Sequence, residues 1–182
     1  MVLDKRSETE ASIFIFGGYC HGKYLNTLFE YKIESGTCKM INVGKENVPE
    51  GRILHAMGIF ENDIYIHGGE SKGGEYLTDF WKYSIKDSTW SMIELKGNAP
   101  KPRSGHSIIT YNSKFYLFGG KTGNIHETNE LWAYDINKSQ FELKHDTLLE
   151  QYSEKEIAAM TLQGHQHMEE TKKSPKNNNS SK

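Results

Sequence analysis

Three glycine pairs recur at a constant spacing along this chain of 182 residues. Gly17-Gly18, Gly68-Gly69 and Gly119-Gly120 stand 51 positions apart, and each pair follows a short apolar run. Self-similarity at a fixed period of this size indicates a repeat architecture, in which each repeat is one small structural unit. Such a unit cannot bury its apolar faces alone, so successive units must pack on one another.

The second repeat shows the strands of one unit. Apolar residues alternate with polar ones across residues 56–60 and 63–67, and the pattern returns over 79–85 and 90–93. Alternation with a period of two residues is typical of half-buried antiparallel strands. The pattern predicts an all-β fold in which each repeat is one four-stranded antiparallel sheet, called a blade below.

The third repeat copies the second, and the first repeat copies it in part. Trp81 corresponds to Trp132, and Tyr83 corresponds to Tyr134. In the first repeat, the constant period places the opening strand at residues 5–9, which read Lys-Arg-Ser-Glu-Thr and do not suit a buried inner strand. We therefore expect about three blades, of which the first is incomplete because it lacks its first strand.

Composition divides the chain into four parts. We expect a polar N-terminal segment over residues 1–12, the repeats over 13–145, an extra inner strand or a short helix over 146–167, and a disordered polar tail over 168–182. The repeats themselves divide at about 13–47, 48–97 and 98–145.

The overall charge, the apolar runs and the cysteines indicate in which compartment, and beside which kinds of partner, the chain is expected. A net charge of −2 gives no indication of nucleic acid or anionic membrane as a partner. The longest apolar runs have the length of a strand, which is too short for a membrane-spanning helix. Cys20 and Cys38 have no counterparts in the other repeats, so a reduced cytoplasmic setting is expected, with the nucleus as the alternative.

These features together resemble the kelch repeat. The resemblance rests on a glycine pair after an apolar strand, a strand of the type Leu/Phe-Trp-x-Tyr, a following Trp or Phe, and the preceding motif Pro-x-x-Arg-x-x-His; it covers residues 13–143. It implies a β-propeller, in which four-stranded blades surround a central channel and the first strand of each blade is innermost.

Propellers typically have about 4–8 blades, whereas this chain supplies about three. Three interpretations follow from that difference. The chain belongs to a longer kelch protein, or it forms an open arc, or two copies combine into a six-bladed ring. In the ring, residues 158–162 of one copy would supply the first strand that the other copy's first blade lacks.

The resemblance also implies a binding face. In kelch propellers that bind peptides, this face is built by the loops after the glycine pairs and the loops that lead into each first strand. The corresponding candidates for protein binding are Tyr19, His21, Glu70, Lys72, Arg52, Arg103, Ser104, Lys121 and Asn124. For Arg52 and Arg103, which recur with the blades, a repeated structural hydrogen bond is the favoured alternative.

The sequence offers no catalytic, cofactor-binding or metal-binding constellation. Cys20-His21 and His165-x-His167 lack further residues at the spacing of a metal site. Glu75-x3-Asp79-x3-Tyr83 resembles the iron site of kelch-type specifier proteins, but its third residue is a tyrosine where that site has a histidine. We therefore predict a non-catalytic protein–protein interaction module, a scaffold or adaptor without cofactors. The alternative is a fragment of a kelch-propeller enzyme, an oxidase or a sugar-modifying enzyme.

Overall fold

A computed structural model describes residues 1–7, 9–44, 46–123 and 127–145, and every regular element in these ranges is a β-strand. Blade 1 contains β1 (Val2–Lys5), β2 (Ala11–Phe16), β5 (Leu28–Lys32) and β6 (Thr37–Ile41), and a hairpin of β3 (Tyr19–Cys20) and β4 (Lys23–Tyr24) projects from it. Blade 2 contains β7 (Arg52–Ile53), β8 (Ala56–Phe60), β9 (Asp63–Ser71), β10 (Tyr76–Ser84) and β11 (Thr89–Met92). Blade 3 contains β12 (Ser107–Tyr111), β13 (Lys114–Phe118), β14 (Leu131–Asp135) and β15 (Gln140–His145).

The sheets of all three blades are antiparallel, so the predicted all-β fold of about three blades is confirmed. The pairing register also confirms the alignment of the repeats. Trp81 lies opposite Ile66, and Trp132 lies opposite Leu117 at the same place in the next blade. The described blades form an open arrangement with no ring closure, and no helix in the described ranges is long and apolar enough to cross a membrane.

The prediction that the first blade lacks its first strand is wrong. Strand β1 pairs with β2 in the register Val2↔Phe14 to Lys5↔Ala11, within the stretch that was expected to stay outside the repeats. The constant period failed here because the turn that joins β1 to β2 spans residues 6–10, whereas the equivalent turn in blade 2 has two residues. The strand therefore begins three positions earlier than the period places it, and the vacancy that a swapped strand was to fill does not exist.

Two apolar clusters hold the blades together, one at each junction. Phe14 and Leu28 of blade 1 pack with Ile64 of blade 2, and all three are buried. On the other side of blade 2, Tyr65 contacts Phe115 of blade 3 with ring centroids 4.7 Å apart. The first strands β1, β8 and β12 lie side by side, so the blades follow one another in sequence order with their first strands together.

Residues 146–182 lie outside the described ranges. The extra strand or helix and the polar tail that the sequence predicts there therefore stay predictions.

Candidate functional site

The side chain of Arg52 lies inside blade 2. It is fully buried and donates to the carbonyl oxygen of Gly68 over 2.9 Å and to the two carboxylate oxygens of Asp79 over 2.6 and 2.7 Å. The indole N–H of Trp81 donates to the same carboxylate over 2.6 Å. Bidentate bonds between a guanidinium and a carboxylate are among the strongest polar contacts in proteins, so this arrangement fixes the strands β9 and β10 to the segment that enters the blade.

Blade 3 repeats the arrangement with Arg103. Its buried guanidinium donates to the carbonyl oxygen of Gly119 over 3.0 Å and to the carboxylate of Glu130, which also accepts from the indole of Trp132. Burial alone would raise the pKa of Glu130, but the bonds from Arg103 and Trp132 outweigh it and lower the pKa below its ordinary value. The structure thus favours the structural role for both arginines, whose side chains do not reach the loop face.

The backbone of each arginine joins two blades. Arg52 accepts from the N–H of Gly18 over 2.9 Å and donates to the carbonyl oxygen of Leu25 over 3.1 Å, both in blade 1. Arg103 makes the same pair of bonds to Gly69 and Leu77, over 2.9 and 3.0 Å. One residue therefore anchors its side chain in its own blade and its backbone in the preceding one.

This junction explains the glycine pairs. Gly68 has a φ of +60°, and a β-carbon there would lie 2.7 Å from the carbonyl oxygen of Arg103. Both the backbone conformation and the close approach exclude a side chain at this position. The repeated glycines thus form the side of the junction on which the arginine backbone of the next blade packs.

Histidines line the junctions beside the arginines. His67 is fully buried, and its Nδ1 lies 3.1 Å from Nε2 of His106 in the next blade. Burial, followed by the nearby Arg103, lowers the pKa of His106 to about 4, and burial lowers the pKa of His67 well below its ordinary value. Both rings are therefore neutral near pH 7 and join blades 2 and 3 by a neutral hydrogen bond.

The loops after the first two glycine pairs meet at the surface. Tyr19 is exposed on the hairpin of β3 and β4, and its ring packs edge-on against Tyr24 at 5.2 Å. The hydroxyl of Tyr24 donates to Glu70 of blade 2 over 3.4 Å. His21, at the tip of the hairpin, is exposed and contacts the thiol of Cys20 at 3.0 Å.

A cleft of about 500 Å³ opens between the loops of blades 2 and 3. It brings together three of the predicted residues, Glu70, Ser104 and Lys121. Lys72 is exposed on the loop between β9 and β10 and does not line the cleft, and Asn124 lies outside the described residues. We call this feature the blade 2–3 cleft; its other walls include Leu54, Tyr76, Gly105, Phe118, Glu127 and Thr128.

Leu54 is the residue of this cleft that sequence reasoning missed. It has a φ of +53° and is 56% exposed. The equivalent position in the third repeat is Gly105, also at positive φ, so a glycine one period away was the available signal. A leucine in the left-handed region is an outlier, because its β-carbon is crowded there.

The charged groups of the cleft include both positive and negative side chains. Lys121 and Glu127 form a loose, exposed pair at 4.0 Å, and Glu70 adds a second carboxylate. Across the described ranges, no group of three or more His, Cys, Asp or Glu residues is arranged to hold a metal ion. The cleft is thus equipped for hydrogen bonds and apolar contact.

The sequence is similar to known repeat proteins along most of its length. The family model described as "KLHDC2/KLHL20/DRC7 Kelch-repeats domain" matches residues 6–168. Among curated relatives, human leucine-zipper-like transcriptional regulator 1 is 34% identical over 139 residues, which is 72% of this chain and 16% of that protein. Tip elongation aberrant protein 3 of Schizosaccharomyces pombe is 28% identical over 144 residues, 74% of this chain and 13% of that protein.

A third relative has a different kind of name. The tRNA wybutosine-synthesizing protein 2/3/4 of Oryza sativa subsp. japonica is 29% identical over 112 residues, 61% of this chain and 11% of that protein. In each of these three relatives, the matched stretch is less than a fifth of the whole protein.

Proposed function

The chain belongs to the kelch-repeat family, and we propose that it is a non-catalytic protein-interaction module that binds a peptide or loop of another protein in the blade 2–3 cleft. In the cell it would act as a scaffold or adaptor segment, in the cytoplasm.

The strongest support for this proposal is an exposed leucine in a disfavoured backbone conformation at the cleft. Leu54 has a φ of +53°, a conformation that costs a leucine on the order of 1 kcal/mol. Leu54 is not part of the buried core that would offset this cost, since more than half of the residue is exposed. Outliers of this kind cluster where a side chain is needed for function, so Leu54 is the apolar anchor that we assign to the partner.

Backbone hydrogen bonds tie the walls around Leu54 together. The N–H of Ser104 donates to the carbonyl oxygen of Lys121 over 3.0 Å, and the N–H of Lys121 donates back over 2.8 Å. The N–H of Gly105 donates to the carbonyl oxygen of Leu54 itself over 2.8 Å. Loops held in this way by a β scaffold are the usual place for recognition, and the volume of the cleft lies within the range of ligand sites.

The relatives support an interaction role and no single reaction. Their names refer to a transcriptional regulator, a protein of tip elongation and a tRNA wybutosine-synthesizing protein, and each is similar to this chain over more than half of its length. A shared fold with such different names fits a module that positions partners, since fold alone does not fix a chemistry.

A photo-crosslinker placed at Tyr76, in the wall of the cleft, tests the proposal. The control carries the crosslinker at Met92, which is exposed on the outer strand β11, away from the cleft. We expect a discrete protein adduct from position 76 alone, and we expect Leu54→Asn to remove it. Asparagine tolerates the left-handed conformation, so this substitution removes the apolar anchor and leaves the backbone unstrained.

Two results would contradict the proposal. One is an adduct from position 76 that Leu54→Asn leaves unchanged. The other is the same adduct pattern from positions 76 and 92, which would indicate that labelling does not depend on the blade 2–3 cleft.

A further inference from the structure

A second cleft opens between blades 2 and 3, at the end of the blades opposite to the glycine pairs. Its volume is about 420 Å³, within the range of ligand sites. The hairpin turns surround it through Glu61, Ser113 and Ser139, so we call it the turn-face cleft. Among the described residues, it shares none of its lining with the blade 2–3 cleft. The described chain leaves blade 3 at the other end, since β15 runs away from this cleft to His145.

Tyr65 brings a hydroxyl to the turn-face cleft that the packing of the blades does not require. The residue lines the cleft but is only 5% exposed, because its ring packs against Phe115 with centroids 4.7 Å apart. At the junction of blades 1 and 2, the equivalent position holds Phe14, which is buried in the same way. A phenylalanine thus fills this place in a junction, and the hydroxyl is what the tyrosine adds.

The charged side chains of the turn-face cleft leave one carboxylate without a partner inside it. Lys82 is the one positive side chain of the described lining, and its Nζ lies 3.1 Å from the carboxylate of Asp63. Glu61 also lines the cleft and is exposed. The described lining therefore carries an excess negative charge at Glu61, which favours a positively charged ligand.

The backbone of Glu61 is in a conformation that a glutamate rarely adopts. Its φ is +53°, in the turn between β8 and β9. The equivalent position in blade 3 holds Asn112, with a φ of +47°, and asparagine is one of the residues that tolerate the left-handed region. An asparagine would serve the turn at least as well, so what the glutamate supplies is charge at the rim of the cleft.

The hydroxyl of Tyr65 lies near the carboxylates of the cleft. Burial raises the pKa of Tyr65, followed by the charge of Asp63, the phenol of Tyr134 and the charge of Glu61. Tyr65 is therefore protonated and neutral near pH 7, and its oxygen can accept a hydrogen bond from a ligand. A carboxylate beside neutral hydroxyls is a set of acceptors suited to an ammonium or guanidinium group.

We infer that the turn-face cleft binds an organic cation with N–H donors, an ammonium or guanidinium group, whose charge lies at Glu61 and one of whose N–H groups donates to the hydroxyl of Tyr65. The group belongs either to a small free amine or to a basic side chain of a polypeptide. The turn-face cleft is separate from the blade 2–3 cleft, so this inference does not depend on the proposed function.

An NMR titration of the isotope-labelled full chain tests the inference, with agmatine as the free amine and acetyl-Gly-Arg-Gly-amide as the basic side chain in a peptide. We expect saturable shifts of the amides of Ser113 and Ser139, which line the turn-face cleft, and none of the amide of Ser104 in the blade 2–3 cleft. The same peptide with citrulline for arginine keeps the shape without the charge, and it should bind at least about tenfold more weakly. The tighter of agmatine and the arginine peptide identifies the source of the cation.

Two substitutions with matched controls identify the groups that bind the cation. Tyr65→Phe introduces the residue that blade 1 has at Phe14, and Glu61→Gln keeps the size of the side chain, so both variants should fold. We expect each to weaken the tighter-binding probe by about threefold or more, as the loss of one hydrogen bond predicts. The controls are Tyr83→Phe and Glu10→Gln, outside the lining of the cleft, and they should leave the affinity unchanged. Glu10 stands one period before Glu61.

Three results would overturn the inference. The first is the absence of saturable shifts with both agmatine and the arginine peptide. The second is a citrulline peptide that binds as tightly as the arginine peptide, because the charge would then play no part. The third is unchanged affinity in both Tyr65→Phe and Glu61→Gln, which would place the bound cation elsewhere on the protein.

Discussion

The guanidinium of Arg52 donates to both carboxylate oxygens of Asp79, and none of the arginine side chain reaches solvent. Arg103 pairs with Glu130 at the same separation of 27 residues. In both blades, the residue that carries the ion pair also carries the backbone bonds to the preceding blade. Loss of the ion pair should therefore loosen a junction and not merely one side chain.

Removal of the carboxylate tests this coupling. Asp79→Asn leaves a buried, uncompensated guanidinium, and we expect the free energy of unfolding to fall by about 3 kcal/mol. The matched control is Asp87→Asn, whose carboxylate is exposed in a turn and should change stability by less than about 0.5 kcal/mol. Urea denaturation measures both, and equal small effects would show that the buried pair does not hold the junction.

The glycine at the second junction should tolerate no side chain. Gly68→Ala meets both the positive φ and the arginine carbonyl at 2.7 Å, and we expect it to cost about 3 kcal/mol. Gly73→Ala has the positive φ but nothing within 4 Å, so it should cost only about 1 kcal/mol. A similar loss for the two variants in thermal denaturation would remove close packing as the reason for the glycine pair.

The junction histidines should make the protein sensitive to acid. Burial lowers the pKa of His106 to about 4 from the ordinary value of 6.5, so between these values the unfolded chain binds a proton that the folded chain does not. Stability from this group is complete above about pH 6.5 and is lost as the pH falls toward 4, by about 1.4 kcal/mol per pH unit. Below pH 4 the loss from this group levels off.

A variant isolates this effect from other titrations. His67 also has a lowered pKa, and the equivalent positions in blades 1 and 3 hold Phe16 and Phe118, so His67→Phe fits the repeat and removes one titrating group. We expect its free energy of unfolding to fall less steeply than that of the parent between pH 6.5 and 4. Parallel curves for the two proteins would exclude the histidine pair as the cause.

The strained leucine of the cleft should cost stability. Leu54→Asn relieves the left-handed backbone, and we expect the free energy of unfolding to stay equal or rise by up to about 1 kcal/mol. Met92→Asn, an equally exposed substitution in a strand with ordinary backbone, should bring no gain. A clear loss of stability in Leu54→Asn would mean that the leucine supports the fold.

Much of the fold could be predicted from the sequence because the repeat places equivalent residues at equal offsets. Trp81 and Trp132 were aligned correctly, since both sit at a fixed distance after a glycine pair. Strand β1 was misplaced, because a longer turn breaks the constant offset, and a period carries no information on the length of one turn.

The candidate site was harder to predict than the fold. The partners of the buried arginines could have been predicted from the repeat, because Asp79 and Glu130 are both acidic and stand one period apart. The role that we propose for Leu54 depends on its backbone angle, and only Gly105 at the equivalent position indicated that angle. The backbone bonds of Arg52 and Arg103 to the preceding blade depend on which backbone groups meet, which no residue type reveals.

Amide hydrogen exchange in the free protein tests the central claim most directly, namely that the backbone of an entering residue joins each pair of blades. The N–H groups of Gly18 and Gly69 donate to arginine carbonyls and should exchange at least about a hundredfold more slowly than that of Gly73, which is exposed on the loop between β9 and β10. Equal protection of all three amides, or a rapidly exchanging Gly69, would contradict the account.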